Sequence, residues 1–147
     1  MDIRELRCGD IVTTNGKPMG TKKGDYYQVV EIDNKNKLHD LIGSVAIESV
    51  SNKYLGCVGA WVDCLEPIPI AGEILKKMGF NSDNIGEYTN KIGNTLLSIV
   101  KLSSCYYLMF KDYSMGNDLL NKPIRYLHQL QHELYDARIE LKIVTIE

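Results

Sequence analysis

The stretch from Ile124 to Gln131, which reads IRYLHQLQ, is the part of the chain that decides how the fold is assembled. Leu127 and Leu130 recur with the 3.6-residue period of a helix, so one helix face is apolar. Asn121 is a suitable N-cap, and Pro123 falls in the first turn, where a missing N–H costs nothing. The sequence therefore predicts a helix that begins near residue 122 and packs its leucines on the core.

Neutral polar side chains lie beside this apolar stripe, and they form the candidate contact surface for a partner protein. The residues of this surface are Tyr126, His128, Gln129 and Gln131. His128 falls at the margin of the stripe, and polar groups at a core margin need hydrogen-bond partners. We therefore expect that His128 is primarily a buried residue whose hydrogen bonds connect the helix to the sheet. A role in binding a partner is the second interpretation.

The helix also carries the residues that could bind a metal ion. His128, His132 and Asp136 are spaced by four, so they share a face, and two imidazoles at that spacing can bind zinc. However, Gln129 follows His128, so the pattern is not HExxH, and no third ligand with metal spacing follows. We expect no metal and no cofactor.

The first half of the chain predicts several short strands separated by turn residues. The predicted strands cover residues 11–12, 26–32, 41–50, 54–58 and 60–65. Residues 15–24 are rich in Gly, Pro and Asn and predict a long loop. Close spacing of short strands is typical of a small curled sheet or an SH3-like barrel, and we expect Trp61 in its core.

The second half predicts a mixture of helix and strand after a junction. Pro67 and Pro69 hold the junction extended. A short helix over residues 73–78 should end at Gly79 in a left-handed C-cap, with Phe80 folding back onto the helix. Residues 87–92, 95–101 and 105–111 predict a β-meander, residues 112–122 a polar loop, and residues 139–144 a last strand.

These elements together predict an α+β protein. The expected division is a β-rich lobe over residues 1–66 and an α+β lobe over residues 67–147, or one compact domain with the same order of elements.

Composition sets limits on the partners. Hydrophobic residues make up 44% and charged residues 24% of 147 residues, which is typical of a globular protein. The net charge is −2, with 8 Lys/Arg and 10 Asp/Glu in residues 1–70 against 9 and 9 in residues 71–147. A broad basic surface for nucleic acid is therefore not expected, although a local basic patch remains open.

The cysteines and the N-terminus indicate the compartment. The first seven residues are charged and do not resemble a signal peptide, and no run of 18 apolar residues occurs. The four cysteines form no CxxC pair, so free buried thiols and a cytoplasmic location are expected.

Motifs for catalysis are missing from the sequence. There is no GxSxG, and the run GTKKG at residues 20–24 lacks the order of a phosphate-binding loop. Cys57 or Cys105 could approach His128 in space, but no local pattern marks either as a nucleophile. We expect that the protein is not an enzyme.

Three ordered segments resemble a family of small uncharacterised proteins from gut bacteria and their phages and mobile elements. Residues 5–12 (ELRCGDIV) are similar to the family pattern ELRxGNxV, and residues 66–80 are similar to xPIPLTEEILxxxGF. Residues 124–131 are similar to IxYVHQLQ, so the resemblance spans nearly the whole chain. His128 matches the family histidine, whereas His132 stands where another polar residue is expected, which argues against a shared two-histidine metal site.

The resemblance implies no known enzyme, cofactor or substrate. The leading hypothesis is therefore a non-enzymatic, cytoplasmic protein-binding module of phage or mobile-element origin. The alternative is a nucleic-acid-binding accessory protein that uses the β lobe. One tyrosine of the pair Tyr26-Tyr27 should face outward and could stack on a base, and Lys17, Lys22 and Lys23 could contact phosphates.

Overall fold

The protein has a mixed α+β fold in a computed structural model that describes residues 3–33, 43–82, 86–92, 95–103, 105–112, 116–119 and 123–139. Within these residues the chain forms two five-stranded antiparallel sheets and two α-helices, and no helix among them is long and apolar enough to cross a membrane. The two sheets come from successive parts of the chain and are named here the first and the second sheet.

The first sheet is an antiparallel sheet that curls into a half-barrel. Its strands are β1 (Ile11–Thr14), β2 (Tyr27–Asp33), β3 (Ser44–Ser49), β4 (Cys57–Trp61) and β5 (Leu65–Glu66). Their order in the sheet is β4-β3-β2-β1-β5. The curl has two local causes: β2 carries a register shift between Val29 and Glu31, and the two halves of β1 pair with different strands.

The apolar interior of the first sheet follows the alternation of its strands. In β3, Val45, Ile47 and Ser49 are buried and alternate with less buried neighbours, as the sequence predicts. These side chains join a core that also contains Val12 and Val29, both with no exposed surface.

The second sheet is preceded by a short helix, α1 (Gly72–Lys77). The predicted C-cap is confirmed: Gly79 has φ +94°, and the N–H of Phe80 donates to the carbonyl of Leu75 at 3.0 Å. Phe80 is 2% exposed, so it folds back into the core as expected.

The second sheet is a meander in the order β10-β9-β8-β7-β6. Its strands are β6 (Asn81–Ser82), β7 (Glu87–Ile92), β8 (Thr95–Leu102), β9 (Cys105–Asp112) and β10 (Gly116–Leu119). The three central strands confirm the predicted meander. The predicted loop over residues 112–122 is wrong in part, because residues 116–119 pair with β9 across a short connection.

The second helix, α2 (Leu127–Asp136), begins later than predicted. Residues 124–126 are extended instead of helical, because their main-chain groups bind two neighbouring segments. Ile124 exchanges two hydrogen bonds with Tyr106 of β9, at 2.8 and 3.0 Å, and the carbonyl of Arg125 accepts from the N–H of Ile70 at 3.0 Å. The predicted last strand over residues 139–144 lies, apart from Ile139, outside the described residues.

A second apolar cluster joins α1, α2 and the second sheet. It contains Leu127, Leu130 and Leu134, each at most 3% exposed, so the predicted apolar stripe of the helix is confirmed. Ile11 of the first sheet also belongs to this cluster, so the two sheets meet at β1.

Two predictions about individual side chains are wrong. Trp61 is 47% exposed and not in the core, because Ala60 takes the inward position and its neighbour in the strand points the other way. None of the four cysteines forms a disulfide in the described part of the chain, but only Cys105 is buried; Cys8 and Cys57 are exposed and Cys64 is half-buried.

Candidate functional site

The predicted contact surface on α2 lies where the helix meets the first sheet, and most of its polar groups bind other parts of the chain. We call this contact the seam, formed by α2 and residues 7–11. Its structure decides which of the four predicted residues remain available to a partner.

Gln129 caps its own helix. Its Oε1 accepts hydrogen bonds from the main-chain N–H of Arg125 at 2.9 Å and of Tyr126 at 3.2 Å. The first N–H groups of a helix have no partner within the helix, and a side-chain acceptor at this position stabilises the start. The Gln129 amide oxygen is therefore occupied within the helix start.

Gln131 connects the helix to the first sheet. Its Oε1 accepts from the N–H of Ile11 at 2.8 Å, and its Nε2 donates to the carbonyl of Gly9 at 3.1 Å. The side-chain amide thus binds the main chain at the start of β1 as a neighbouring strand would. Both the oxygen and the nitrogen of this amide therefore bind groups within the chain.

His132 and Asp10 form a second connection across the seam. The Nε2 of His132 lies 2.8 Å from both carboxylate oxygens of Asp10, which is 2% exposed. Asp10 also accepts from the N–H of Arg7 at 2.8 Å, and the Arg7 side chain pairs with Asp136 at 2.9 Å at the exposed rim. Sequence reasoning missed Asp10, because only the folded chain brings it to the helix.

His128 is buried in the seam, as predicted, at 2% exposure. Its ring stacks on Tyr126, with 5.9 Å between centroids, and lies edge-on to His132 at 5.8 Å. Neither ring nitrogen has a hydrogen-bond partner among the residues that the structure describes. The hydrogen bonds between helix and sheet that were expected from His128 are therefore made by Gln131 and His132, while the His128 ring packs in the interior.

Burial determines the charge of His128. Desolvation lowers its pKa below the ordinary value; the negative charges of Asp10 and Glu5 oppose this shift in part, and the neighbouring His132 adds to it. The imidazole is therefore neutral at pH 7.

The seam borders a cavity of about 480 Å³ whose polar groups already bind one another. Asp10 pairs with His132, Gln131 binds Gly9, and Arg7 pairs with Asp136. Cys8 lines the same cavity, but its thiol makes no hydrogen bond to an imidazole in the described part of the chain. Nor do any three described His, Cys, Asp or Glu side chains lie close enough together to hold a metal ion.

A different surface carries exposed aromatic groups. Tyr54 is fully exposed and Leu55 is 61% exposed in the short 3₁₀ turn before β4, and Trp61 is 47% exposed at the end of β4. Tyr54 and Leu55 precede β4 and Trp61 ends it, and β4 is one of the two edge strands of the first sheet in the described part of the chain. We call this region the β4 surface and define it as residues 54–61.

The β4 surface continues into a groove on the outer face of the first sheet. The groove has a volume of about 450 Å³, and its outward-facing residues are Glu31, Ser44, Ala46, Gly59 and Trp61. Large exposed apolar side chains next to a concave surface are typical of contact sites. The predicted surface Tyr126, His128, Gln129 and Gln131 lies elsewhere, and its role in binding stays a prediction.

Comparisons with known proteins do not identify the chain. No protein-family model matches it, and no curated protein or solved structure matches it either.

Proposed function

We propose that this protein is a non-enzymatic protein-binding module and that the β4 surface is its contact site. The observation that carries the proposal is the exposure of Tyr54, Leu55 and Trp61 around one edge strand. Tyr and Trp are enriched at the centre of protein interfaces, because a large rigid ring buries much area at little entropic cost.

The hydrogen bonds at the seam argue against α2 as the contact site. The polar groups of Gln129, Gln131 and His132 are engaged within the chain, so a partner that used them would have to break existing hydrogen bonds.

We infer further that the first sheet is an SH3-like barrel. The strand order, the register shift in β2 and the 3₁₀ turn Val62–Cys64 before β5 support this inference. The three-motif resemblance supports a setting in a phage or mobile element and in the cytoplasm. Neither inference by itself specifies the partner.

Capture from a lysate of the source cells tests the proposal. We expect wild-type protein to retain a partner that a Tyr54→Ser/Trp61→Ser variant loses. Met19→Ser is the matched control, because Met19 is 90% exposed in the loop before β2 and lies outside the β4 surface. The variant Tyr126→Ala/Gln129→Ala tests the surface on α2.

Each outcome distinguishes between the hypotheses. Equal capture by wild type and the Tyr54/Trp61 variant contradicts the proposal, and selective loss in the Tyr126/Gln129 variant moves the contact to α2. Loss of capture after nuclease treatment favours the nucleic-acid alternative, whose support is the exposure of Lys17, Lys22 and Lys23 in the loop between β1 and β2.

A further inference from the structure

We infer, on the basis of the proposed function, that the groove beside β4 binds an arginine or lysine side chain from an extended segment of the partner protein. The groove combines a floor of small residues, an aromatic wall and a carboxylate wall. Together these three features select a long cationic side chain.

The floor is formed by neighbours on adjacent strands. Ala46 of β3 pairs with Gly59 of β4 on one side and with Glu31 of β2 on the other. Ser44 and Trp61 form the next pair on the same face of these two strands. Ala46 carries only a methyl group and Gly59 has no side chain, so a depression is left between Trp61 and Glu31.

Gly59 keeps the floor open. A Cβ built on this residue would meet no atom within 4 Å, so the space above it is free of other described side chains. An aliphatic stem of three or four methylene groups can lie there against the Trp61 ring and lose its contact with water.

The negative charge in the groove favours a positively charged group at the end of the bound side chain. Glu31 is exposed and lines the groove, whereas no Lys or Arg does so among the described residues. Glu48 lies further along the outer face of β3 and adds to the negative potential. A cation held near Glu31 would also be attracted by the face of an indole ring.

The edge strand can hold the rest of the segment. Among the described strands, β4 is last in the first sheet, so one side of its main chain faces away from β3. Its sequence, CVGAW, contains none of the charged or proline residues that commonly protect an edge from pairing. An extended segment that pairs with β4 would place alternate side chains over the groove.

The fluorescence of Trp61, the sole tryptophan, provides a direct test. The probes are blocked peptides Val-Thr-Xaa-Thr-Val with Arg, Lys, Gln or Glu at the centre, titrated to about 5 mM because one side chain supports only weak binding. We expect a saturable change in emission with the Arg and Lys peptides, binding several-fold weaker with Gln, and none with Glu.

Three variants assign the binding to the groove. Glu31→Gln should weaken binding of the Arg peptide about two- to fivefold, since an exposed ion pair contributes modestly. The variant should then bind the Arg peptide no more tightly than the Gln peptide. Gly59→Val should weaken binding at least about tenfold by filling the floor; we expect no loss of stability, because the added Cβ meets no atom within 4 Å and valine favours a strand. Glu73→Gln, at an exposed position of α1, is the charge-matched control and should change nothing.

Equal binding of the Arg and Gln peptides, unchanged binding in Glu31→Gln, or no saturable signal with any peptide would overturn the inference. If the Tyr54→Ser/Trp61→Ser variant still loses lysate capture in that case, the proposed function stands and only the basic side chain is wrong. If that variant also captures as well as wild type, both are wrong.

Discussion

At the residue scale, the two glutamines of the HQLQ stretch show how position gives one side chain two different roles. Gln129 is in the first turn of α2, so its oxygen reaches the free N–H groups at the helix start. Gln131, two residues later, points to the opposite side and binds the main chain of residues 9–11. Neither role requires a ligand.

His128 makes the stability of the protein depend on pH. Burial lowers the pKa of His128 in the folded protein. The imidazole therefore becomes protonated near pH 6.5 in the unfolded chain, while it is still neutral in the folded protein. The free energy of unfolding should therefore be fully retained above the ordinary histidine pKa. As the pH falls from there toward the lowered folded value, it should decrease by up to about 1.4 kcal/mol per pH unit for the one proton.

The variant His128→Phe isolates this effect in urea unfolding measured between pH 7.5 and pH 5. It keeps a ring stacked on Tyr126 and removes two polar atoms that have no partner in the described structure, so its stability at pH 7.5 should equal or exceed that of wild type. The two proteins share every other ionisable group, so the difference between the two curves reports His128. Parallel curves for the two proteins would show that this residue is not the source.

The burial of the inward-facing residues of α2 could be predicted from the sequence, but the groups that contact the helix could not. The helical period places Leu127, Leu130 and Leu134 inside and His128 at the margin, and all four are buried. The groups that contact the helix at Gly9, Asp10 and Ile11 lie more than 110 positions earlier in the chain, so no local pattern connects them.

At the scale of elements, the two helices end in the same way with different residues. Both have an N–H two positions beyond the C-cap that donates to a carbonyl in the last turn, at 3.0 Å in α1 and 2.8 Å in α2. The left-handed position is Gly79 in α1 and Arg138 in α2, with φ +94° and +59°. A side chain is strained in this conformation, and glycine is not.

We therefore expect Arg138→Gly to raise the free energy of unfolding by about 0.5–1 kcal/mol. The reciprocal change Gly79→Ala should lower it by at least about 1 kcal/mol, since the added Cβ is strained and would lie 3.2 Å from Nδ2 of Asn90. Urea denaturation measures both. A loss of stability in Arg138→Gly would show that the arginine side chain makes a contact that outweighs the strain.

Element boundaries were predicted less well where tertiary contacts override local preference. Pro123 suits a first helical turn, but Ile124 and Arg125 pair with Tyr106 and Ile70 and stay extended. Residues 116–119 are polar and look like a loop, yet β9 offers them a pairing edge. In both cases a neighbouring strand, which the local sequence does not reveal, decides the conformation.

At the scale of the whole molecule, α2 joins two sheets that have separate apolar interiors. Its leucines belong to the core of the second sheet, while Gln131 and His132 bind residues that lead into the first sheet. The curled sheet is thereby fixed at β1, whereas the exposed Tyr54 and Trp61 lie in the turn before β4 and at the end of β4, an edge strand away from this contact.

The central claim is that partners bind at the β4 surface and not at α2. Hydrogen–deuterium exchange of the protein alone and in complex with the captured partner tests it most directly, because a strand added to an edge protects the main-chain amides of that edge. We predict slower exchange in Cys57–Trp61 and unchanged exchange in Leu127–Asp136. Slower exchange in Leu127–Asp136 with no change in Cys57–Trp61 would contradict the claim.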